Sequence, residues 1–230
     1  MKTNLGVLEP TSLSIAIDDN AVAATSTLTS ADTGAFTDGK VVVLGTTTYR
    51  FKTVPAQAYD IFIGASADIT LGSLVKAINL TGEVGVDYYA GTLIHPTCSA
   101  AAVASHATVV TAKTAGYAGN AIATTTDEAK LSWTSTVMAG GGSTIGTYTF
   151  AGEGGIARRF TTVCPQFAGT PTYTLTILDE DSNILYVSGN LTENATTQTT
   201  LEILLAGTDT IKITTSTKVE ETLPVTVIIR

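Results

Sequence analysis

Charge is what this sequence has least of. Only 14% of its 230 residues are charged, against about 25% in an ordinary soluble protein. The few charges lean acidic, 20 against 12 basic, for a net −8 and a pI near 4.6. A nucleic-acid partner needs a basic stripe to displace counterions. The nearest feature is Arg158-Arg159, a pair and not a patch, so no nucleic acid is expected. Long apolar runs are missing too. None approaches the roughly 18 residues that span a bilayer as a helix, so no membrane partner is expected. The first residues, Met1-Lys-Thr-Asn-Leu-Gly-Val7, lack the apolar segment of a secretory signal, and the expected place of synthesis and assembly is a cytoplasm. Two cysteines, Cys98 and Cys164, make neither a disulfide framework nor a zinc site. Both are expected reduced, with an intersubunit disulfide as the open alternative.

What is present points to strands. Hydrophobic residues make up 44%, aromatics only 7%, and Thr, Gly, Ala and Val dominate, a composition of strands joined by small-residue turns. The expected fold class is mainly β: an α+β N-terminal module, a sheet with one helix, followed by an all-β, sandwich-like domain. Residues 1–37 read as an arm in which Leu13–Ile17 alternates. Residues 38–142 read as the module. Lys40–Leu44 and Thr47–Thr53 flank a turn at Gly45-Thr46, with Val41 and Val43 on one face and Val42 and Leu44 on the other. Tyr59–Gly64 is a further strand. Leu71, Leu74, Val75 and Ile78 recur at helical spacing, with Asp68 or Thr70 as cap and Gly82 as stop. Glu83–Ser105 reads as a strand or loop excursion, and Ala107–Lys113 as a strand. Trp133, Val137 and Met138 precede Gly140-Gly-Gly142, a turn or linker. Residues 143–230 carry about six alternating runs, at Phe160–Cys164, Tyr173–Ile177, Ile184–Val187, Leu201–Leu205, Ile211–Ile213 and Pro224–Ile229, with turns at Asp179–Asn183 and Gly189-Asn190. This regular spacing is that of a sandwich.

Catalysis needs a titratable group poised by its neighbours. His95 precedes a proline, and His106 sits among Ala and Ser. His106 with a serine and an acid can be written as a triad, but no Gly-x-Ser-x-Gly elbow exposes a serine, and loop histidines are the simpler reading. Asp179-Glu-Asp-Ser-Asn183 spaces oxygens as a calcium loop does, yet lacks the glycine at position six and the distal glutamate. A solvated turn fits it better. Gly140–Gly146 and Gly152–Gly155 lack the strand, helix and Lys-Ser/Thr tail of phosphate loops. The sequons at Asn79, Asn190 and Asn194 are expected by chance in a threonine-rich chain. Tyr88-Tyr89 can stack on a sugar, though a core or contact position suits it better. No catalytic residue, cofactor or metal ligand is assigned.

The run Asp38-Gly-Lys-Val-Val-Val-Leu-Gly-Thr-Thr-Thr-Tyr-Arg-Phe51 resembles a module of tailed-bacteriophage virion structural proteins. Ile63-Gly-Ala-Ser-Ala67, Thr70–Asn79, Val110–Ala123, Trp133 and Ala139-Gly-Gly141 continue the likeness, which covers about residues 38–141. The resemblance implies a non-enzymatic virion protein and brings no catalytic residues. The expected role is capsid decoration or cementing, in many copies, through strand edges and the arm. Expected partners are other virion proteins, the major capsid protein or tail proteins, and further copies of the chain. One alternative is a tail component (tube, sheath-associated or head-tail adaptor). Another is a host-recognition or carbohydrate-binding module using Tyr88-Tyr89.

Overall fold

Apolar and polar residues alternate along most of the chain, and most of it is strand. The structure, a computed structural model, describes residues 11–31, 34–150, 155–167, 170–219 and 223–230. In chain order the elements are β1 (Thr11–Ile15), β2 (Ala23–Ser30), β3 (Val41–Leu44), β4 (Thr47–Lys52), β5 (Asp60–Phe62) and α1 (Ala67–Asn79). There follow β6 (Cys98–Ala100), β7 (Ala107–Ala115), a 3-10 turn (Tyr117–Ala121), β8 (Thr124–Thr126) and β9 (Leu131–Trp133). The remainder is β10 (Ser143–Thr149), β11 (Gly155–Cys164), β12 (Thr172–Leu178), β13 (Ile184–Val187), β14 (Leu191–Thr192), β15 (Ala195–Leu205), β16 (Thr210–Val219) and β17 (Val225–Ile229). The fold is mainly β, with one α-helix among the described residues.

The chain divides into two units, residues 22–141 and residues 1–21 with 142–230. This corrects the reading of residues 1–37 as an arm. β1 pairs antiparallel with β17, Leu13 opposite Val227. β2 lies between β7 and β9 in the other unit. β1 buries Leu13 and Ile15 on one face, and β2 buries Ala24, Ser26, Leu28 and Ser30, each strand in a different core. The division falls within the Gly140–Gly142 run.

In the helix-bearing unit, one sheet runs β6-β7-β2-β9 and another β5-β4-β3-β8. Residues 136–139 stitch them together. Thr25 and Ala139 exchange hydrogen bonds of 2.8 and 3.0 Å, while Thr124 N–H donates to Thr136 O and Met138 N–H to Ile122 O, both at 2.9 Å. The strands surround one core that includes Leu28, Leu44, Tyr49, Phe51, Ile61 and Met138. The helix packs on β5, β6 and β7, and Leu71, Leu74, Val75, Ala77 and Ile78 are buried.

Both helix caps differ from expectation. Ser66 is the N-cap, its hydroxyl accepting from Ile69 N–H. Thr70 is buried and turns back, donating to Ser66 O and accepting from Gly64 N–H, both at 3.0 Å. At the other end Leu80, not Gly82, takes the left-handed conformation at φ 54, and Thr81 N–H closes onto Lys76 O at 3.0 Å. Gly82 serves packing instead: a Cβ there would lie 2.7 Å from an Asp87 oxygen and 2.8 Å from Lys76 Cβ.

The second unit is a sandwich. Its sheets are β1-β17-β11-β15 and β10-β16-β12-β13, with β14 also on β12. Their inner faces share one core: Leu13, Ile15, Phe160, Val225, Val227 and Ile229 from the first, Tyr173, Leu175, Ile177, Ile211 and Ile213 from the second. The chain leaving β1 crosses to the second sheet, where Asp19 N–H donates to Ile145 O at 2.9 Å. The crossing is tight enough that a Cβ on Gly146 would sit 2.0 Å from Ala16 O.

Candidate functional site

His95 sits on a loop, as its neighbours suggest, but is buried there. It is 1% exposed, between the end of α1 and the β3–β4 turn. Its Nδ1 accepts from Cys98 N–H at 3.0 Å and Thr97 N–H at 3.3 Å. A nitrogen that accepts two N–H groups carries no proton, so Nε2 holds it and donates to Leu44 O at 3.0 Å. His95 N–H donates to Ile78 O at 2.9 Å, and Lys113 Nζ donates to its carbonyl at 2.5 Å. Burial pushes the imidazole pKa down, more than the Leu44 carbonyl raises it, and Lys113 lowers it further. The residue therefore works as a neutral clasp joining helix, hairpin and β6. Beside it, the buried Tyr49 hydroxyl has no hydrogen-bond partner among the described residues.

His106 does meet an acid: its Nδ1 lies 2.9 Å from Asp68 Oδ1, both side chains about half exposed. Ser105 and His106 form the centre of a tight turn at φ 49 and 62, closed by two hydrogen bonds between Ala104 and Ala107. Left-handed conformation at both central residues defines the type I′ hairpin. The pair thus ties a hairpin to the first turn of α1, where Asp68 also favours the helix dipole.

Two buried carboxylates, Asp60 and Asp87, escaped the sequence reading because their charged partners stand on other elements, Arg50 on β4 and Lys76 on α1. Asp60 accepts from Arg50 Nε and Nη2 at 2.8 and 2.6 Å, and from the N–H groups of Ala56 and Gln57. Burial raises its pKa, but the Ala56 N–H, the guanidinium and the Gln57 N–H outweigh it and hold the group below the usual carboxylate range. Asp87 is lowered likewise against burial, by Lys76, Glu83 N–H and Ser73. The parallel pairing that sets Arg50 opposite Asp60 is invisible without the fold.

The remaining sequence candidates separate cleanly. Tyr88 is buried and donates to Gly82 O, which leaves only Tyr89 of that pair exposed. Asp179 is engaged by Asn183 Nδ2 and by the N–H groups of Asn183 and Asp181, which lower its pKa and make the loop a self-satisfied turn. Asn79 bonds both amide atoms to Ala100, pinning β6 to α1 and occupying the first sequon. Cys98 and Cys164 are buried free thiols. Burial pushes both pKa values up, that of Cys164 to about 12 with help from Glu193. The intersubunit disulfide is set aside, since neither sulfur reaches the surface. Arg158 and Arg159 lie on β11, where their N–H groups both donate to Arg230 O. Gly152–Gly154 lie outside the described residues.

What the surface does offer is sheet edges and apolar loops. β13 is an edge strand without a charged residue, and Ile184, Leu185 and Val187 are 65%, 40% and 47% exposed. β15 is an eleven-residue edge strand. In the helix-bearing unit, Val84, Val86, Leu93 and Ile94 stand exposed on the loop after α1. A shallow groove of about 300 Å³ lies between β8 and β9, walled by Thr124–Thr126, Trp133, Ser135 and Thr136.

No family model and no curated protein matches the chain. Among solved structures it is weakly similar to a mutant VP2 protein of infectious bursal disease virus in derived T=1 particles. That likeness has 8% identity and a TM-score of 0.17, covers 95% of this chain and 55% of the VP2 chain, and carries no argument at that score.

Proposed function

We propose that the chain is a non-enzymatic structural protein of a tailed-bacteriophage particle, attached in many copies to the capsid surface as a decorating or cementing protein. The observation that carries this reading is the β13 edge: uncharged, apolar on both faces, and unpaired on its outer side among the described residues. Natural sheets blunt free edges with lysine, proline or a covering segment, and an edge left bare suits β-augmentation by a partner strand. The likeness of residues 38–141 to a virion module points the same way. His95 belongs to the framework, since both its ring nitrogens are engaged by the backbone.

Cryo-electron microscopy of particles assembled with this chain tests the proposal. Density on capsid hexamers is the expected result. A ring or tube along the tail selects the tail-component alternative, and absence from the particle overturns both. Turnover of a substrate that depends on His95 or His106 overturns the non-enzymatic reading.

A further inference from the structure

The strand β15 carries a palindrome. Thr196-Thr197-Gln198-Thr199-Thr200 reads the same in both directions, and it lies on the outer strand of the sheet β1-β17-β11-β15. Thr196, Gln198 and Thr200 are exposed on one face, while Thr197 and Thr199 are half-buried on the other. On its inner side the stretch is paired regularly with β11, Thr200 opposite Arg159 through Ala195 opposite Cys164. Its outer side has no strand partner among the described residues. From Ala195 to Leu205 there is no Lys, Arg or Pro, the residues that usually guard an edge.

We propose that β15 pairs antiparallel with β15 of a second copy, about a two-fold axis at Gln198. In that register Gln198 faces its own counterpart, Thr196 faces Thr200, and Thr197 faces Thr199. Every cross-strand pair in the palindrome is then Thr–Thr or Gln–Gln, and facing threonines on adjacent strands are favourable neighbours. The charges agree. The strand's one carboxylate, Glu202, falls opposite Asn194 of the other copy, so the two acidic side chains stay apart on a chain of net −8. A bulge limits the contact on that side: Ile203 pairs with Ala157 but Thr200 with Arg159, so Leu201 and Glu202 share Arg158. The regular stretch on that side thus ends with the palindrome, at Thr200, and a bulge turns an edge aside. Because the contact is isologous it closes as a dimer and consumes the edge. The inference stands apart from any role in a particle, since it concerns two copies of the isolated chain.

The test uses the purified full chain. Sedimentation equilibrium is expected to show a concentration-dependent monomer–dimer equilibrium. Gln198→Lys, at an exposed position, sets two like charges face to face and is expected to raise the dimer Kd at least tenfold with an unchanged circular dichroism spectrum. Under mild oxidation Gln198→Cys is expected to form a covalent dimer. Thr200→Cys is not, because its counterpart lies four residues along, about 13 Å away. A strictly monomeric chain, oligomers insensitive to Gln198→Lys, capture of a different protein's strand with no self-association, or equal crosslinking of the two cysteine variants overturns the proposal. Absence of the chain from phage particles would refute the virion reading and leave this one untouched.

Discussion

The two units solve the same problem in different ways. The sandwich is built on strands of up to eleven residues, and its core is filled by alternating Ile, Leu, Val, Phe and Tyr. The helix-bearing unit has shorter strands and a long excursion between α1 and β6, whose backbone groups must find partners away from any ladder. It finds them in buried polar side chains. Among the described residues His95, Asp60, Asp87 and Glu128 are buried in that unit, while the sandwich buries one comparable group, Asp209. A loop-rich fold must satisfy its orphan N–H and C=O groups from within, so irregular backbone and buried ionisable side chains arrive together. The helix-bearing unit is accordingly expected to be sensitive to pH and to single polar substitutions, and the sandwich to changes of volume.

Four changes break or sharpen that contrast. The largest effect is expected from His95→Ala, which strands Leu44 O and the N–H groups of Thr97 and Cys98. At about 1–3 kcal/mol for each unsatisfied group, partly relieved by entering water, the loss is about 4 kcal/mol. Urea unfolding followed by Trp133 emission measures it, because the chain's one tryptophan lies in that unit. Asp60→Asn comes next. It removes the charge facing Arg50 and an acceptor for two backbone N–H groups, at about 3 kcal/mol, read by the same probe. Gly146→Ala is expected to cost the sandwich about 2 kcal/mol, because the added methyl collides with the Ala16 carbonyl. Circular dichroism should register this loss, and a shift of the Trp133 transition alone would reverse the assignment.

The smallest effect is that of mild acid. His95 has a folded pKa below its unfolded value of 6.5, so the unfolded chain binds the proton more readily. Its contribution is whole above pH 6.5 and is lost as pH falls from there through the lowered folded value. Asp60 and Asp87, lowered from 3.8, add a second loss only below about pH 4, as pH falls through their folded values. The Trp133 midpoint in urea should therefore decline between pH 6.5 and 5 in the wild type. A flat profile there would remove His95 as the cause of the difference between the units.

Several elements were legible because their causes are local. The hairpin β3–β4 follows from β-branched runs around Gly45, which sits at φ 58. The helix follows from apolar spacing, and the alternation of β12, β16 and β17 is plain in the sequence. The helix ends were less so, since Ser66 and Leu80 act as caps while the better-looking Thr70 and Gly82 serve packing. The candidate surfaces were only partly legible. The Tyr88-Tyr89 pair splits between core and surface, and β13 becomes an edge only through the strand order.

The sequence by itself determined that this is a chain of alternating strands with one amphipathic helix, low in charge and divided near Gly140–Gly142. Those features depend on residues a few positions apart. The tertiary structure alone decided that β1 and β2 belong to different units, that His95 is a buried clasp, and that β13 and β15 lie at the margins of their sheets. Each depends on which distant strand lies alongside, and local residue pattern places a side chain on a face without naming its neighbour.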